Sequence, residues 1–525
     1  MDRRTDRLRA AATVPFVLVT LLLSTFVLAA PARAADPAAY ISQGELRGIA
    51  ADGVEVFRGI PFAQPPVGRL RWRAPLPALG WSGVREATAP GAACIQSRAA
   101  PFAKNQSEDC LFINVWRPAK VKNGVRLPVM AWIHGGGSVA GVSTMPAYDG
   151  TRLARRNVVV VSFNYRLGAL GLFAHPALTA ENPKGPLGNY TLLDQIAALK
   201  WIKANIAAFG GDPANVTIFG QSAGGVAVNK LMVSPLARGL FAKAISQSGA
   251  LLKPALPLRG DASATGEKLG LGLAERLGVV GTGPEALAAL RALPPEKFAA
   301  GLISYMSAGY IDGVSLIEPI DAAFAAGREA KVPYITGATT CELCTPAAPR
   351  PADTEAALRR VGDRRAQVAA AYGSDVALSM RDFSGDADVV MPMRLLARLH
   401  SRNGQPTWTY AFGYLPASWR NTFPSAPHGG EIPFVFGTLG KEGGGFWLPE
   451  VTPGADDQAL SGDLLDYWTS FARTGDPGAA RGVKWPRFRS PSETSMTFLG
   501  ATPKVEAGFS RARLDLAEQI VGKNF

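Results

Sequence analysis

Residues 216–225 constrain the fold more than any other stretch. They run Val216, Thr217, Ile218, Phe219 and then Gly220-Gln221-Ser222-Ala223-Gly224-Gly225, followed by a helical pattern from Val226 to Val233. An apolar strand therefore enters Gly-x-Ser-x-Gly directly, and a helix leaves it. A serine on so sharp a turn projects its hydroxyl at the top of a sheet, and flanking glycines let neighbouring backbone pass without a Cβ clash. Among 57 glycines the five-residue pattern alone is weak, because chance supplies it. The strand before it and the helix after it carry the weight.

The rest of the chain supplies a matching scaffold. Apolar, β-branched runs over 129–133, 158–163, 216–219, 244–246, 332–336 and 408–412 predict buried parallel strands. Leu192, Ile196, Leu199, Ile202, Ile206 and Phe209 keep a spacing of three or four, which predicts a helix stopped by Gly210-Gly211, with Pro213 just beyond. Strands alternating with helices imply an α/β fold with a mainly parallel, doubly wound central sheet. Residues 37–90 predict an antiparallel preamble. Residues 254–330, rich in Ala, Leu and Gly at helical spacing, predict a helical insertion over the mouth of the site. A closing helix is expected over 464–471. The 525 residues contain no repeat or hydrophilic linker, so one domain over 35–525 is the simplest organisation.

The first 34 residues read as a separate object. Arg3, Arg4, Arg7 and Arg9 precede an apolar run from Val14 to Ala30, and Ala32 and Ala34 form a small-x-small cleavage pattern. This reads as a secretory signal cut after Ala34 rather than a membrane anchor, for which the apolar run is short, and the expectation is an exported protein, periplasmic or secreted, without a stable membrane anchor. The leader's five arginines and two aspartates account for part of the formal charge of +13, leaving about +10 spread over the remainder. No Lys/Arg block is interleaved with aromatics, so nucleic acid is not an expected partner. Four cysteines in an exported chain favour disulfides. Cys94 and Cys110 would close a loop with a stabilisation of ~3 kcal/mol by chain entropy. Cys341 and Cys344 bracket Glu342, as a local clip or as a free pair.

A serine nucleophile needs a base, an acid that orients the base, and donors for an oxyanion. In strand–Gly-x-Ser-x-Gly–helix enzymes the acid and then the histidine follow the serine in sequence. Of the four histidines, His134 and His175 precede Ser222. His400 ends a helical pattern over 391–400 and is expected to face solvent. His428 sits in Pro427-His-Gly-Gly430, in a loop beyond the strand at 408–412, and is the expected base. Alone it would be an ordinary polar loop residue; the order and Ser222 reverse those odds. Glu342, after the strand at 332–336 and a break at Gly337, is the expected acid, with Asp312 and Glu318 as rivals that follow no clean strand. His134-Gly-Gly-Gly137 after the run at 129–133 is the expected oxyanion loop, with Gly136, Gly137 and Ala223 as N–H donors. A flexible turn would explain three glycines, but not their place after a strand and upstream of Ser222.

These residues together resemble the type-B carboxylesterase/lipase family, the cholinesterase-like α/β-hydrolases, in its bacterial form. The resemblance rests on Phe57–Phe62 and Pro65–Arg71, on Glu108-Asp-Cys-Leu111 with Asn114-Val-Trp116, on Phe209–Pro213, on Gly220–Gly225, on Pro427–Ile432 with Phe434–Gly437, and on Tyr467–Ala472 with Thr474–Pro477. It implies an α/β-hydrolase fold, a Cys94–Cys110 disulfide, and hydrolysis of a small-molecule ester by Ser222, Glu342 and His428 without metal or organic cofactor. Glu431 matches a second glutamate of a buried polar network; an ordinary satisfied core carboxylate is compatible with that place. Gln221 stands where cholinesterases carry glutamate, which weakens attraction for a cationic substrate. Ser138 stands where an aromatic is usual, and Thr191 where glycine is. The Cys94–Cys110 loop contains no Trp, which argues against choline esters. The alternatives are a binding or adhesion domain on the same fold, and an amidase or natural-product lyase or esterase using the same site.

Overall fold

The computed structural model describes residues 36–96, 103–122, 124–250, 255–299, 309–441, 448–490 and 492–521. The signal segment expected over residues 1–34 lies outside these residues. All the described elements fall within the unit Asp36–Phe525.

An eleven-stranded sheet organises the chain. In chain order its strands are β1 (Ile49–Ala51), β2 (Val54–Pro61), β3 (Phe112–Pro118), β4 (Leu127–Ile133), β5 (Val159–Phe163), β6 (Gly211–Gln221), β7 (Lys243–Gln247), β8 (Tyr334–Thr339), β9 (Thr407–Phe412), β10 (Thr494–Phe498) and β11 (Lys504–Ala507). Their spatial order is β11-β10-β9-β8-β7-β6-β4-β5-β3-β2-β1. The seven strands β4 to β10 are parallel, as expected of a mainly parallel sheet. Antiparallel β3, β2 and β1 extend one edge and β11 the other. The antiparallel preamble is present, with a further small sheet beginning at Ala38–Ile41 and Gly44–Arg47.

The central strands read as unbroken apolar runs because both faces of the sheet are covered. Every residue of β4 and β5 is buried. Val129, Ala131 and Ile133 pack on one face with Leu192, Ile196, Leu199 and Ile202 of α1 (Tyr190–Asn205) and with Val228, Leu231 and Met232 of α2 (Ala223–Val233). Met130 and Trp132 pack on the other face, against Leu460, Leu464, Trp468 and Phe471 of the long closing helix over 455–474. Each fully buried Val, Leu, Ile, Met or Phe among them contributes ~1.5–3 kcal/mol of transfer free energy. After α1 a short turn over Ile206–Phe209 ends at Gly210, whose φ of 77° stops the helix, and Gly211 already pairs with Leu127 as the first residue of β6. Pro213 falls inside β6, where the register shifts between Gly211 and Val216, so this strand starts earlier than its apolar run.

Helices α3 (Gly266–Arg276) and α4 (Pro284–Ala292) lie in the segment between β7 and β8, as predicted. Two expectations fail. Gly337 does not break β8: it pairs with Tyr410 inside the strand, and a Cβ there would run into the Tyr410 ring. The strand begins at Tyr334, after Pro333, whose ring nitrogen cannot donate to a ladder. His400 does not face solvent. The segment between β8 and β9 is helical and includes α5 (Val376–Gly385) and, after a π-helical turn over Asp386–Val390, α6 (Met391–Arg402). His400 lies on the buried face of α6, with Nδ1 3.0 Å from Glu329 and Nε2 2.9 Å from the Val332 carbonyl. The buried ring is a core partner of Glu329 Oε1. The closing helix α7 (Ala455–Thr474) ends at Gly475 with φ 80°, and α8 (Arg511–Val521) follows β11. Disulfides join Cys94 to Cys110 and Cys341 to Cys344. Among the described residues, no helix is long and apolar enough to cross a membrane.

Candidate active site

Ser222 occupies the junction between β6 and α2 with φ 59° and ψ −127°. That conformation costs a non-glycine residue ~1–3 kcal/mol, so surrounding structure must hold it. Two contacts do so. The Ser222 N–H donates to the carbonyl of Gln247 at the end of β7 (2.9 Å), and its carbonyl accepts from Val226 (2.9 Å). The glycines are required by proximity. A Cβ on Gly220 would stand 2.7 Å from the Ile133 carbonyl, one on Gly224 would collide with that same oxygen, and one on Gly225 would stand 2.7 Å from the Gln247 carbonyl. The turn is thus wedged between the ends of β4 and β7.

Glu342 follows the end of β8 by three residues and is buried. Its Oε1 accepts three hydrogen bonds, from Ser248 Oγ (2.7 Å), the Thr339 N–H (2.7 Å) and Thr339 Oγ1 (2.9 Å). Its Oε2 is hydrogen-bonded to His428 Nδ1. Burial pushes the carboxyl up, but the charge of His428 and these donors outweigh it, and the group lies below the usual glutamate range. For His428, burial favours the neutral ring while Glu342, and to a lesser degree Glu431, favour the imidazolium; the net direction is up.

With Nδ1–H directed to the carboxylate, the free lone pair of His428 is on Nε2. That atom lies 3.1 Å from the side-chain nitrogen of Gln221, the residue before Ser222. The amide therefore donates to Nε2. Among the described residues, none makes a hydrogen bond to Ser222 Oγ.

The glycine loop after β4 touches the same turn. A Cβ on Gly135 would stand 2.8 Å from the Gln221 carbonyl and 3.1 Å from Ser222 Cβ. Gly136 and Gly137 have φ of 104° and 64°. The Gly136 carbonyl accepts from Val139 and Ala140, which fixes the loop as a turn. Among the described residues, none accepts a hydrogen bond from the N–H of Gly136, Gly137 or Ala223. His134 anchors the loop: its ring stacks on Tyr165 at 4.2 Å and its carbonyl accepts from Tyr165 Oη. Burial lowers its pKa to about 4, so it is neutral at ordinary pH.

Glu431 is fully buried. Its Oε1 accepts from Gln247 Nε2 (3.1 Å), and its Oε2 has no partner among the described residues, so it is not a satisfied core carboxylate. Burial, then the charge of Glu342, raise its pKa to about 7. Gln247, Ser248 and Thr339 were not singled out from sequence. The signal that finds them is position: all three stand at the ends of adjacent parallel strands, where α/β sheets gather their ligand groups. The rival carboxylates are committed elsewhere. Asp312 accepts from the N–H groups of Val314, Ser315 and Leu316, and Glu318 pairs with Arg328. Thr191 hydrogen-bonds to the Arg166 carbonyl (2.7 Å), away from Ser222's contacts.

Residues 35–372 and 354–517 match the family model described as Carboxylesterase family. A fumonisin B1 esterase of Sphingopyxis macrogoltabida is 37% identical over 501 residues, covering 91% of this chain and 90% of its own. The para-nitrobenzyl esterase of Bacillus subtilis (strain 168) is 35% identical over 477 residues, covering 86% and 93%. A solved PNB esterase structure superposes with a TM-score of 0.76 at 32% identity, over 91% of this chain and 99% of that one.

Proposed function

The chain belongs to the carboxylesterase family, and on that premise we propose that it is a serine esterase in which Ser222, Glu342 and His428 act as one unit. It is a carboxylic ester hydrolase of the α/β-hydrolase fold. Ser222 Oγ attacks the ester carbonyl while Nε2 of His428 takes its proton. Glu342 keeps the other ring nitrogen protonated and stabilises the imidazolium that forms. The N–H groups of Gly136, Gly137 and Ala223 receive the oxyanion; one such donor is typically worth ~10²–10³ in turnover. His428 then protonates the leaving alcohol, and water activated by the same ring hydrolyses the acyl-enzyme.

The observation that carries this reading is the orientation of His428. Its Nδ1 is bound to a buried carboxylate, and its Nε2 lone pair is directed at the turn that presents the strained serine. Gln221 holds that lone pair until substrate draws the serine hydroxyl into its place. Ser222→Ala should lower hydrolysis of a short p-nitrophenyl ester by on the order of 10⁴–10⁶-fold with the fold retained by circular dichroism. Turnover near the wild-type rate would falsify the assignment. The same reading takes residues 1–34 as a cleaved signal and 35–525 as one exported domain. The two disulfides support that compartment, and the N-terminal sequence of the secreted protein tests it.

A further inference from the structure

The Cys341–Cys344 disulfide encloses Glu342 in sequence, and its surroundings tie two loops together. The Cys341 N–H donates to the Ala426 carbonyl (3.1 Å), and Cys341 forms a lone parallel bridge with Pro427. The next residue on each strand of that bridge is Glu342 on one side and His428 on the other. Thr340, one residue before Cys341, and Ser425, two residues before Pro427, are hydrogen-bonded through their hydroxyls. The register of this bridge therefore sets acid beside base. A bridge without a ladder on either side is a weak fastening. The sulfurs add what it lacks: both cysteines are buried in a cluster with Trp419, Phe423, Leu448 and Val451, and Trp419 and Phe423 belong to the segment that leads to His428. Beyond Cys344 the chain is exposed from Thr345 to Ala348, so Cys344 is the last buried anchor downstream of Glu342 before that stretch.

We propose that the Cys341–Cys344 disulfide is a positioning element of the site, which closes the Glu342 turn onto the His428 loop so that turnover, rather than substrate binding, depends on it. The inference rests on the triad reading above. Chain length argues that its role is local. A ring closed over two intervening residues restricts an unfolded chain far less than one closed over the fifteen between Cys94 and Cys110.

The test compares two pairs of substitutions. Cys341→Ala with Cys344→Ala should lower kcat for a p-nitrophenyl ester about 10-fold or more, with KM unchanged within about twofold. The acid limb of kcat/KM should move to lower pH, because Glu342 and Glu431 are the charged groups that raise His428 and the first is no longer held against it. Cys94→Ala with Cys110→Ala should lower the melting temperature more and leave that limb in place. An unchanged kcat and limb in the first pair overturns the proposal. If that pair does not fold, the wild-type enzyme is titrated with dithiothreitol. The reagent's two thiols are oxidised to its cyclic disulfide while each cysteine sulfur gains a proton and an electron. Activity is read before iodoacetamide labelling and mass spectrometry count the freed thiols. Loss of turnover in step with release of Cys341 and Cys344 supports the proposal, and full turnover with that pair reduced sinks it. Should Ser222→Ala retain activity, the triad reading fails; a dead Ser222→Ala beside fully active cysteine variants removes this inference alone.

Discussion

Glu342 and Glu431 are the same side chain placed twice around one imidazole, both buried, and they are driven in opposite directions. The difference is the number of donors. Glu342 collects three hydrogen bonds on one oxygen and His428 on the other. Glu431 has one side-chain donor, Gln247, and an unpartnered second oxygen. Burial alone penalises a carboxylate; enough donors and an adjacent cation reverse the sign. The region that ends β8 thus makes a permanent anion, and the turn after His428 makes a carboxyl that is half protonated near pH 7. Only the first suits the role proposed for Glu342, which is to hold Nδ1–H and stabilise an imidazolium.

The largest expected effect follows from that division. Glu342→Gln should lower kcat by about 10⁴-fold, as loss of the orienting anion does in other triads. Glu431→Gln should cost less than about 10-fold, because glutamine retains the acceptor for Gln247 and resembles the neutral form already populated. Steady-state kinetics on both variants decides the matter, and a reversed ranking would exchange the two roles.

Next in size is a pH dependence of stability. Glu431 has a folded pKa of about 7, raised above its ordinary value. Between those values the folded state binds the extra proton, so Glu431 favours folding below pH 4.5 and that contribution is lost as pH rises toward 7. Glu342 is depressed and works the other way: its contribution is present above the ordinary glutamate value and lost on acidification. Glu431→Gln should therefore remove a few kcal/mol of stability loss between pH 4.5 and 7. Urea unfolding at several pH values reads it, and identical slopes in wild type and variant would contradict the raised pKa.

The two regions also differ in how far sequence revealed them. The Ser222 turn is legible because its requirements are local and steric: Gly220, Gly224 and Gly225 are fixed by backbone that approaches too closely for a Cβ. The parallel strands are legible because burial on both faces leaves continuous apolar runs. Glu342 is only half legible. Its position after a strand is visible, but Ser248, the donor that helps to keep it ionised, lies 94 residues away and meets it only because β7 and β8 are neighbours. Gly337 misled for a related reason, since its missing side chain accommodates the Tyr410 ring from the adjacent strand. His400 misled because the end of a helical pattern says nothing about Glu329 waiting beneath it. The bonding of Cys341 to Cys344 is only half legible, because the spacing suits a clip little better than a free pair.

Smaller effects test the donors themselves. Ser248→Ala removes one of three bonds to Glu342 Oε1, and a hydrogen bond to a charged group is worth ~1.5–3 kcal/mol. Thr339 supplies two remaining donors, so the loss should fall at the low end, about 10-fold in kcat. It should also raise the Glu342 pKa and steepen acid inactivation. An unaltered rate and pH profile would show that Thr339 alone suffices.

The smallest effect concerns the acid limb of kcat/KM in Glu431→Gln. In the proposed mechanism His428 must be neutral to accept the serine proton, so activity should rise as pH passes through its pKa in the free enzyme. That pKa lies above the ordinary imidazole value, chiefly because of Glu342 and secondarily because of Glu431. Removing Glu431's charge should move the limb to lower pH, by less than Glu342→Gln moves it. The shift should shrink further below pH 7, where Glu431 in the wild type is increasingly protonated and exerts less field. A limb that moves upward, or farther than in Glu342→Gln, would mean that Glu431 and not Glu342 is the principal anion facing the base.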